Sequence, residues 1–349
     1  MDRRKFLAAG AMAAASNIIN SRLWAAEAGD DALVASVHPE LRQLARQMLP
    51  MFRSQPAPTL ESLPAMRSQS MSYAKKPAAD IPYEKREIAG AAGQPPVTLY
   101  LINAGKGEGR PAILYTHGGG FIAGSAASYI EPLQALCREL GCVAVAVEYR
   151  LAPETTYRGS IEDNYAGLKW LHDNAASLGV DPARIAVMGE SAGGGHAALL
   201  AIAARDRGEV PVAFQCLIYP MLDDRTGSSR DVPPNVGRFI WTPQSNRFGW
   251  QCFLGEKPGT VHISSAAVPA RVTNLTGLPP AFIGVGSIDL FVDEDIEYAR
   301  RLNDSGVSTE LIVVPGAFHG FDILPIPSQI GQRFAAAKLI ALKRGLGIT

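Results

Sequence analysis

The chain has 349 residues, of which 47% are hydrophobic and 19% are charged, enough apolar material for a large buried core. Its 33 basic and 33 acidic residues balance, so the composition predicts no broad electrostatic attraction to nucleic acid or to an anionic membrane surface. Helical and strand-like segments alternate through the middle of the chain without an internal repeat, which favours a single α/β core with insertions.

Residues 1–28 are typical of an export signal. Arg3 and Arg4 precede an Ala-rich apolar run that ends near Ile19 and is too short to span a bilayer. Small residues end the segment, so cleavage after Ala28 is expected. The segment resembles a bacterial twin-arginine signal and predicts a periplasmic or secreted protein. The alternative is an amphipathic N-terminal helix that the mature protein keeps.

Residues 29–80 are predicted to be N-terminal cap helices. Residues 38–51 carry apolar side chains at helical spacing, and a second amphipathic stretch begins at Thr59, beyond Pro56 and Pro58. Because no strand lies between these helices, they cannot form a crossover of a sheet. They are therefore expected to lie over the core as part of a lid.

An α/β core is predicted over residues 81–222 and 279–349. Its expected strands are 83–88 and 97–102, as an antiparallel pair, followed by 112–115, 142–147, 185–188, 212–219, 281–285 and 311–314. Its expected helices are 130–140, 161–178, 192–204, 293–302 and 329–342. This alternation favours a mostly parallel sheet with flanking helices.

Residues 223–278 interrupt the alternation and are predicted to be a cap insertion. The segment is rich in Pro, Gly, Ser and Arg and carries scattered aromatic residues. Those aromatic side chains either line a pocket or fasten the insertion to the core, and the sequence leaves both roles open.

Ser191 lies where a predicted strand turns into a helix within two residues. Such a turn strains the backbone and needs small neighbours, which Gly189 and Gly193 supply. The serine is then left at the carboxyl end of the strand, where the positive end of the following helix dipole points at whatever it attacks. The alternative is an ordinary Gly-rich strand-to-helix turn.

A serine nucleophile needs a general base and a carboxylate that orients that base. In an α/β-hydrolase the two partners follow the serine in the order acid, then histidine. His319 directly follows a predicted strand, whereas His262 lies in the irregular insertion, so His319 is the predicted base. Asp289 follows the strand before it and is the predicted acid, with Asp293 as the alternative.

The sequence also predicts an oxyanion hole. The segment His117–Gly120 follows a central strand, and its lack of side chains lets the backbone approach a substrate oxygen. Backbone N–H groups of Gly118, Gly119 and Ala192 are the expected donors. A phosphate-binding loop is excluded because no Lys-Ser/Thr pair follows and no ribose-binding acid is well placed.

His117, His196 and the cysteines are predicted to have structural roles. His117 is expected to orient its loop, and His196, one turn into the helix after Ser191, to be structural. The cysteines form no C-x-x-C pair and have no histidine at metal-ligand spacing, so no metal site is predicted. Buried free thiols are expected, with a Cys137–Cys142 disulfide left open if the protein is exported.

With these residues in place, the sequence resembles the hormone-sensitive-lipase-like esterases, bacterial family IV of the α/β-hydrolase superfamily. The resemblance rests on the segments 117–121, 149–154 and 189–193, on Asp289 and on the His319 loop. It implies an α/β-hydrolase fold with a mostly parallel eight-stranded sheet and a helical cap. It also implies hydrolysis of short- to medium-chain carboxylic esters without a cofactor.

Two residues depart from the family pattern. Glu190 stands where the family usually has Asp, and Leu290 stands where a Pro commonly follows the acid. The expected partner is a small-molecule ester, with no nucleic acid and no stable membrane insertion, and a homodimer is left open. An amidase or peptidase on the same fold, or a binding module without catalysis, are the alternative functions.

Overall fold

The computed structural model describes residues 29–54, 56–72, 74–105, 107–324 and 326–349. The predicted export signal, residues 1–28, lies outside the described residues. Within those ranges, no helix combines the length and the apolar character needed to cross a bilayer.

Eight strands form one sheet in the order β1-β2-β4-β3-β5-β6-β7-β8. They are β1 (Tyr83–Ile88), β2 (Val97–Ile102), β3 (Arg110–Thr116), β4 (Val143–Glu148), β5 (Val180–Glu190), β6 (Phe214–Ile218), β7 (Ala281–Gly286) and β8 (Thr309–Val314). β2 runs antiparallel to β1 and β4, and the other neighbours are parallel. The predicted eight-stranded, mostly parallel sheet is confirmed.

Helices cover both faces of the sheet. The described helices are α1 (29–36), α2 (Arg42–Ser54), α3 (Leu63–Ser72), α4 (Ile130–Leu140), α5 (Tyr157–Asp173), α6 (Ala175–Leu178), α7 (Ala192–Arg207), α8 (Pro243–Leu254), α9 (Val292–Asp304) and α10 (Gln329–Gly345). Those that pack on the strands include α4, α5, α7, α9 and α10. Side chains alternate along a strand, so Ile113 packs into the core on one face of β3 and Leu114 into the core on the other. This two-sided burial explains the near-continuous apolar composition of the central strands.

Some predicted boundaries were wrong. The helix expected over 161–178 is two helices, because the backbone of Asn174 leaves the helical conformation between α5 and α6. β5 begins at Val180 instead of residue 185, because Val180 pairs with Arg110 before a register shift in the β3–β5 ladder. The stretch after Thr59 does form a helix, α3, but Leu63 is its single fully buried residue.

Buried charges anchor the segment that follows β6. Asp224 is completely buried, accepts hydrogen bonds from Arg271 at 2.6 Å (Nε to Oδ1) and 3.0 Å (Nη2 to Oδ2), and accepts the Gly259 N–H at 2.6 Å. Glu294, in the first turn of α9, accepts the N–H groups of Leu222 and Asp223. Three distant parts of the segment are thereby fixed to each other and to the core.

We expect Asp224→Ala to lower the free energy of unfolding by about 3–5 kcal/mol, because it leaves the largely buried Arg271 without its carboxylate. Asp304→Ala is the matched control, because Asp304 pairs with Arg300 where both side chains are about 60% exposed. Its expected cost is below about 1 kcal/mol. Urea unfolding followed by circular dichroism measures both values, and equal losses would contradict the assigned role of Asp224.

Candidate active site

Ser191 occupies a strained position between β5 and α7. Its backbone has φ 58° and ψ −124°, a combination rare for a residue with a side chain. A Cβ added to Gly193 would lie 2.1 Å from the Thr116 carbonyl oxygen, and one added to Gly189 would lie 2.2 Å from the Gly193 carbonyl oxygen. The two glycines therefore permit a turn this tight, as the sequence predicted.

Hydrogen bonds hold this turn on both sides. The Ser191 N–H donates to the Ile218 carbonyl at 2.9 Å, and the Ser191 carbonyl accepts the N–H groups of Gly195 and Met221, each at 3.0 Å. The Thr116 hydroxyl donates to the Gly193 carbonyl at 2.7 Å. The serine is thus fixed to β3, to the end of β6 and to its own helix.

The structure brings Ser191, His319 and Asp289 into one hydrogen-bonded line. His319 Nε2 lies 2.9 Å from Ser191 Oγ, and His319 Nδ1 lies 2.9 Å from Asp289 Oδ2. A carboxylate can only accept, so Nδ1 carries the ring proton and Nε2 is free to accept from the serine hydroxyl. Asp289 is completely buried, and its Oδ1 accepts the Phe291 N–H at 3.0 Å.

Two aromatic rings position the imidazole of His319. The ring of Tyr219 meets it edge-on at 4.7 Å between centroids, and the ring of Phe291 does so at 5.2 Å. The side chains of Tyr219 and Phe291 are both buried. The rings limit rotation of the imidazole and exclude water from its faces, and no signal in the sequence pointed to either residue.

The alternative residues lie elsewhere. Asp293 is exposed in the first turn of α9, where its charge favours the helix N-terminus, and His262 is exposed in the segment between α8 and β7. Glu294 and Asp295 follow Asp293 in the same first turn of α9. The structure buries both, and burial raises the pKa of each well above its usual value.

Two of the predicted oxyanion donors, Gly118 and Ala192, lie next to Ser191. A Cβ on Gly118 would lie 3.5 Å from Ser191 Cβ, and Gly119 has φ +128°, a conformation that side chains rarely adopt. Ala192 begins α7, so its N–H has no partner within the helix. Gly120, at φ +61°, continues the same loop. The assignment of Gly118, Gly119 and Ala192 as donors stays a prediction.

Comparison with known proteins decides the family. The family model for the alpha/beta hydrolase fold matches residues 113–323. This chain belongs to the α/β-hydrolase family. Carboxylesterase NlhH of Mycobacterium tuberculosis is 36% identical over 241 residues, covering 68% of this chain and 74% of that protein.

Further relatives place the hydrolase more narrowly. A solved structure titled "Bacterial Heroin Esterase" superposes with a TM-score of 0.79 at 37% identity, covering 89% of this chain and 98% of that one. Gibberellin receptor GID1C of Arabidopsis thaliana is 32% identical, covering 67% of this chain and 69% of that protein. The resemblance to hormone-sensitive-lipase-like esterases, predicted from the motifs, is confirmed.

Two further histidines of the hydrolase lie beneath the site. His117 stacks on Tyr149 at 4.1 Å between centroids, and its Nδ1 lies 2.8 Å from the Gly118 carbonyl, which orients the glycine loop. His196 is buried among Phe121, Tyr149 and Phe253, and neither ring nitrogen has a partner among the described residues. Burial lowers the pKa of His196 to about 3, so its ring is neutral.

The cysteines are all free and buried in the described chain. The Sγ atoms of Cys137 and Cys142 lie 3.9 Å apart, so the structure contains the pair as thiols.

A cavity of about 550 Å³ lies between the N-terminal helices of the hydrolase and residues 234–245, with Leu49 and Phe52 among its walls. The side chains of Ser191, His319 and Asp289 do not line this cavity. Residues 234–245 separate the cavity from the serine, since Phe239 packs on Phe318 at 4.8 Å and the Gly237 N–H donates to the Ile288 carbonyl. The cavity is therefore not part of the site.

We expect His196→Leu to reduce the sensitivity of the fold to acid. The folded state holds the pKa of His196 near 3, against about 6.5 in the unfolded chain, so only the unfolded state takes up a proton between those values. The contribution of His196 to stability is therefore fully present above pH 6.5. Between pH 6.5 and pH 3 the free energy of unfolding falls by about 1.4 kcal/mol for each pH unit.

Urea unfolding at pH 7 and pH 5 checks this prediction. His196→Leu should lose about 2 kcal/mol less than the unsubstituted protein over that interval. His262→Leu, at an exposed histidine, should follow the unsubstituted protein. An unchanged acid dependence in His196→Leu would show that the buried ring is not the group that titrates.

Proposed function

We propose that this chain is a serine carboxylesterase that hydrolyses short- to medium-chain carboxylic esters. The observation that carries the proposal is the line from Asp289 through His319 to Ser191, with both contacts at 2.9 Å. Names of similar proteins, carboxylesterase NlhH and a heroin esterase among them, support an ester as the substrate. The acyl-chain range follows from the family resemblance.

In the first half of the reaction, Ser191 Oγ attacks the ester carbonyl carbon while His319 Nε2 takes the hydroxyl proton. The imidazolium that forms is stabilised by Asp289, whose burial strengthens the attraction. Negative charge develops on the carbonyl oxygen, where the backbone N–H groups around Ser191 would stabilise it. Protonation of the alcohol oxygen by His319 then releases the alcohol and leaves an acyl-serine.

In the second half, water attacks the acyl carbonyl and gives its proton to His319 Nε2. Breakdown of the second tetrahedral intermediate returns that proton to Ser191 Oγ and releases the carboxylic acid. Residues 29–80 and 223–278 act as a cap in this proposal, because both reach the glycine loop beside Ser191. Arg67 donates to the Ile122 carbonyl, and the Trp241 ring lies against Gly120.

Ser191→Ala should lower kcat for p-nitrophenyl acetate and butyrate by at least about 10⁴-fold, because the attacking oxygen is removed. Ser177→Ala is the control, since that serine is exposed on α6 and its hydroxyl donates to the nearby Asn174 carbonyl. Circular dichroism should show both variants folded. Retained turnover in folded Ser191→Ala would end the esterase proposal.

A ligand-binding role without catalysis is the second candidate, because gibberellin receptors occur among the relatives. Labelling by a fluorophosphonate separates the two roles, since a serine reacts with it only when a base activates the hydroxyl. An amidase or peptidase would share the labelling, so turnover of p-nitrophenyl acetate is compared with that of the matching p-nitroanilide. The esterase proposal requires the ester to be the faster substrate.

We also propose export of the protein, which rests on Arg3, Arg4 and the apolar run of residues 1–28 alone. Expression in a bacterium with a twin-arginine pathway should place a shortened protein in the periplasm. Replacing both arginines by lysine should keep the full-length chain in the cytosol. Full-length protein found only in the cytosol without that replacement would refute export.

A further inference from the structure

A polar cluster lies next to the nucleophile, at the end of β5. It consists of Glu190, Tyr219, Asp322 and Lys338. The Lys338 ammonium group lies 3.9 Å from a carboxylate oxygen of Glu190 and 3.9 Å from one of Asp322. All three charged side chains are largely buried, with exposed fractions of 16%, 11% and 4% for lysine, glutamate and aspartate.

The members of this cluster come from the parts of the chain that carry the triad. Glu190 is the residue before the nucleophile, and Asp322 lies three residues after His319. The Tyr219 hydroxyl donates to Asp322 at 2.9 Å, and the ring of the same tyrosine packs on the His319 imidazole. Lys338, on α10, therefore bridges the serine turn and the histidine loop.

The lysine is charged in this setting. Burial alone would lower the pKa of Lys338, but the carboxylates of Glu190 and Asp322 outweigh it and raise that pKa. Burial raises the pKa of Glu190, and Lys338 counteracts this effect. One buried cation thus compensates two buried carboxylates. Loss of the cation would leave both carboxylates buried without an opposite charge.

We propose that Lys338 is a positioning residue for the catalytic histidine. Its ammonium group holds Glu190 and Asp322 together, which fixes the separation of Ser191 and His319 and balances the negative charge around the imidazole. This inference rests on the proposed serine-hydrolase chemistry. It gives a role to Glu190, one of the two residues at which the chain departs from the family pattern.

Several ionisable groups face the imidazole or the ammonium group. They are Asp289 from the loop after β7, Glu190 at the end of β5, Asp322 in the histidine loop, Tyr219 after β6, Cys216 on β6, and Tyr115 on β3. These groups are acids, and Lys338 supplies the positive charge in their midst. Its removal leaves the carboxylates uncompensated, which favours the imidazolium form, whereas the reaction needs the neutral ring.

Lys338→Met should therefore move the acid limb of the kcat/KM profile for p-nitrophenyl butyrate to higher pH, by roughly half to one unit. At neutral pH kcat should fall about tenfold with KM nearly unchanged, because geometry at the reacting atoms is disturbed rather than substrate binding. Lys343→Met is the matched control on the same helix, because Lys343 has no ion pair within the part of the chain that the structure describes. Its profile should match that of the unsubstituted protein.

Asp322→Asn gives a second test with the opposite sign, and it remains available if Lys338→Met does not fold. Removing this carboxylate leaves Lys338 opposed by Glu190 alone, so the acid limb should move to lower pH. A structural role without electrostatic coupling would lower activity in both variants and shift neither limb. That outcome, in folded protein, would overturn the proposal.

Chemical rescue gives a third test. A cavity of about 230 Å³ between α4 and α10 opens to the surface and reaches Lys338, Glu190 and Tyr115. In Lys338→Ala, added n-propylamine should enter as its ammonium ion and return the acid limb towards that of the unsubstituted protein, whereas n-propanol should not. Equal effects of both additives would contradict the charge role.

The rate of fluorophosphonate labelling at Ser191, measured against pH in the same variants, separates the two proposals. Labelling needs an activated serine but no ester turnover. If the unsubstituted protein is labelled yet hydrolyses no ester, the esterase proposal fails and the Lys338 shift can still be measured. If it hydrolyses esters but Lys338→Met shifts neither profile, only the Lys338 inference fails.

Discussion

The strained backbone at Ser191 is the constraint on which the rest of the structure depends. A residue held in such a conformation costs on the order of 1–3 kcal/mol and persists only where its surroundings determine it several times over. Here β3, β6 and α7 each hold the turn through hydrogen bonds, and two glycines leave room for it. The conformation directs the hydroxyl towards the imidazole.

Strain of this kind is concentrated around the site. Five described residues other than glycine have positive φ: Asn103, Phe121, Ser191, Tyr219 and Ile240. All but Asn103 lie near the triad, since Phe121 follows the glycine loop, Tyr219 packs on His319, and Ile240 contacts Gly320. The sheet and its two cores supply the rigidity that keeps these conformations in place.

The site combines apolar enclosure with a few buried charges. Tyr219 and Phe291 enclose the imidazole, and the neutral rings of His117 and His196 fill the space beneath the glycine loop. Water is thereby kept from the reacting groups, and electrostatic attraction between Asp289 and His319 is strengthened. The proposed cap is attached differently, through polar anchors: Arg67 binds Glu154 and the carbonyls of Ile122 and Ala152, and Arg301 of α9 binds the Ala270 carbonyl.

The amino-acid sequence by itself determined the elements and their order. Its apolar runs, glycines and turn residues predicted the strands, the tight turn at Ser191 and the loops that hold Asp289 and His319, because these features depend on local backbone preferences. The family and the eight-stranded fold are confirmed. Only the tertiary structure decided which charged side chains meet in the interior, as for Glu190 and Lys338, or Asp224 and Arg271. Such pairs join residues far apart in the chain, and their attraction depends on burial and distance, which no local pattern records.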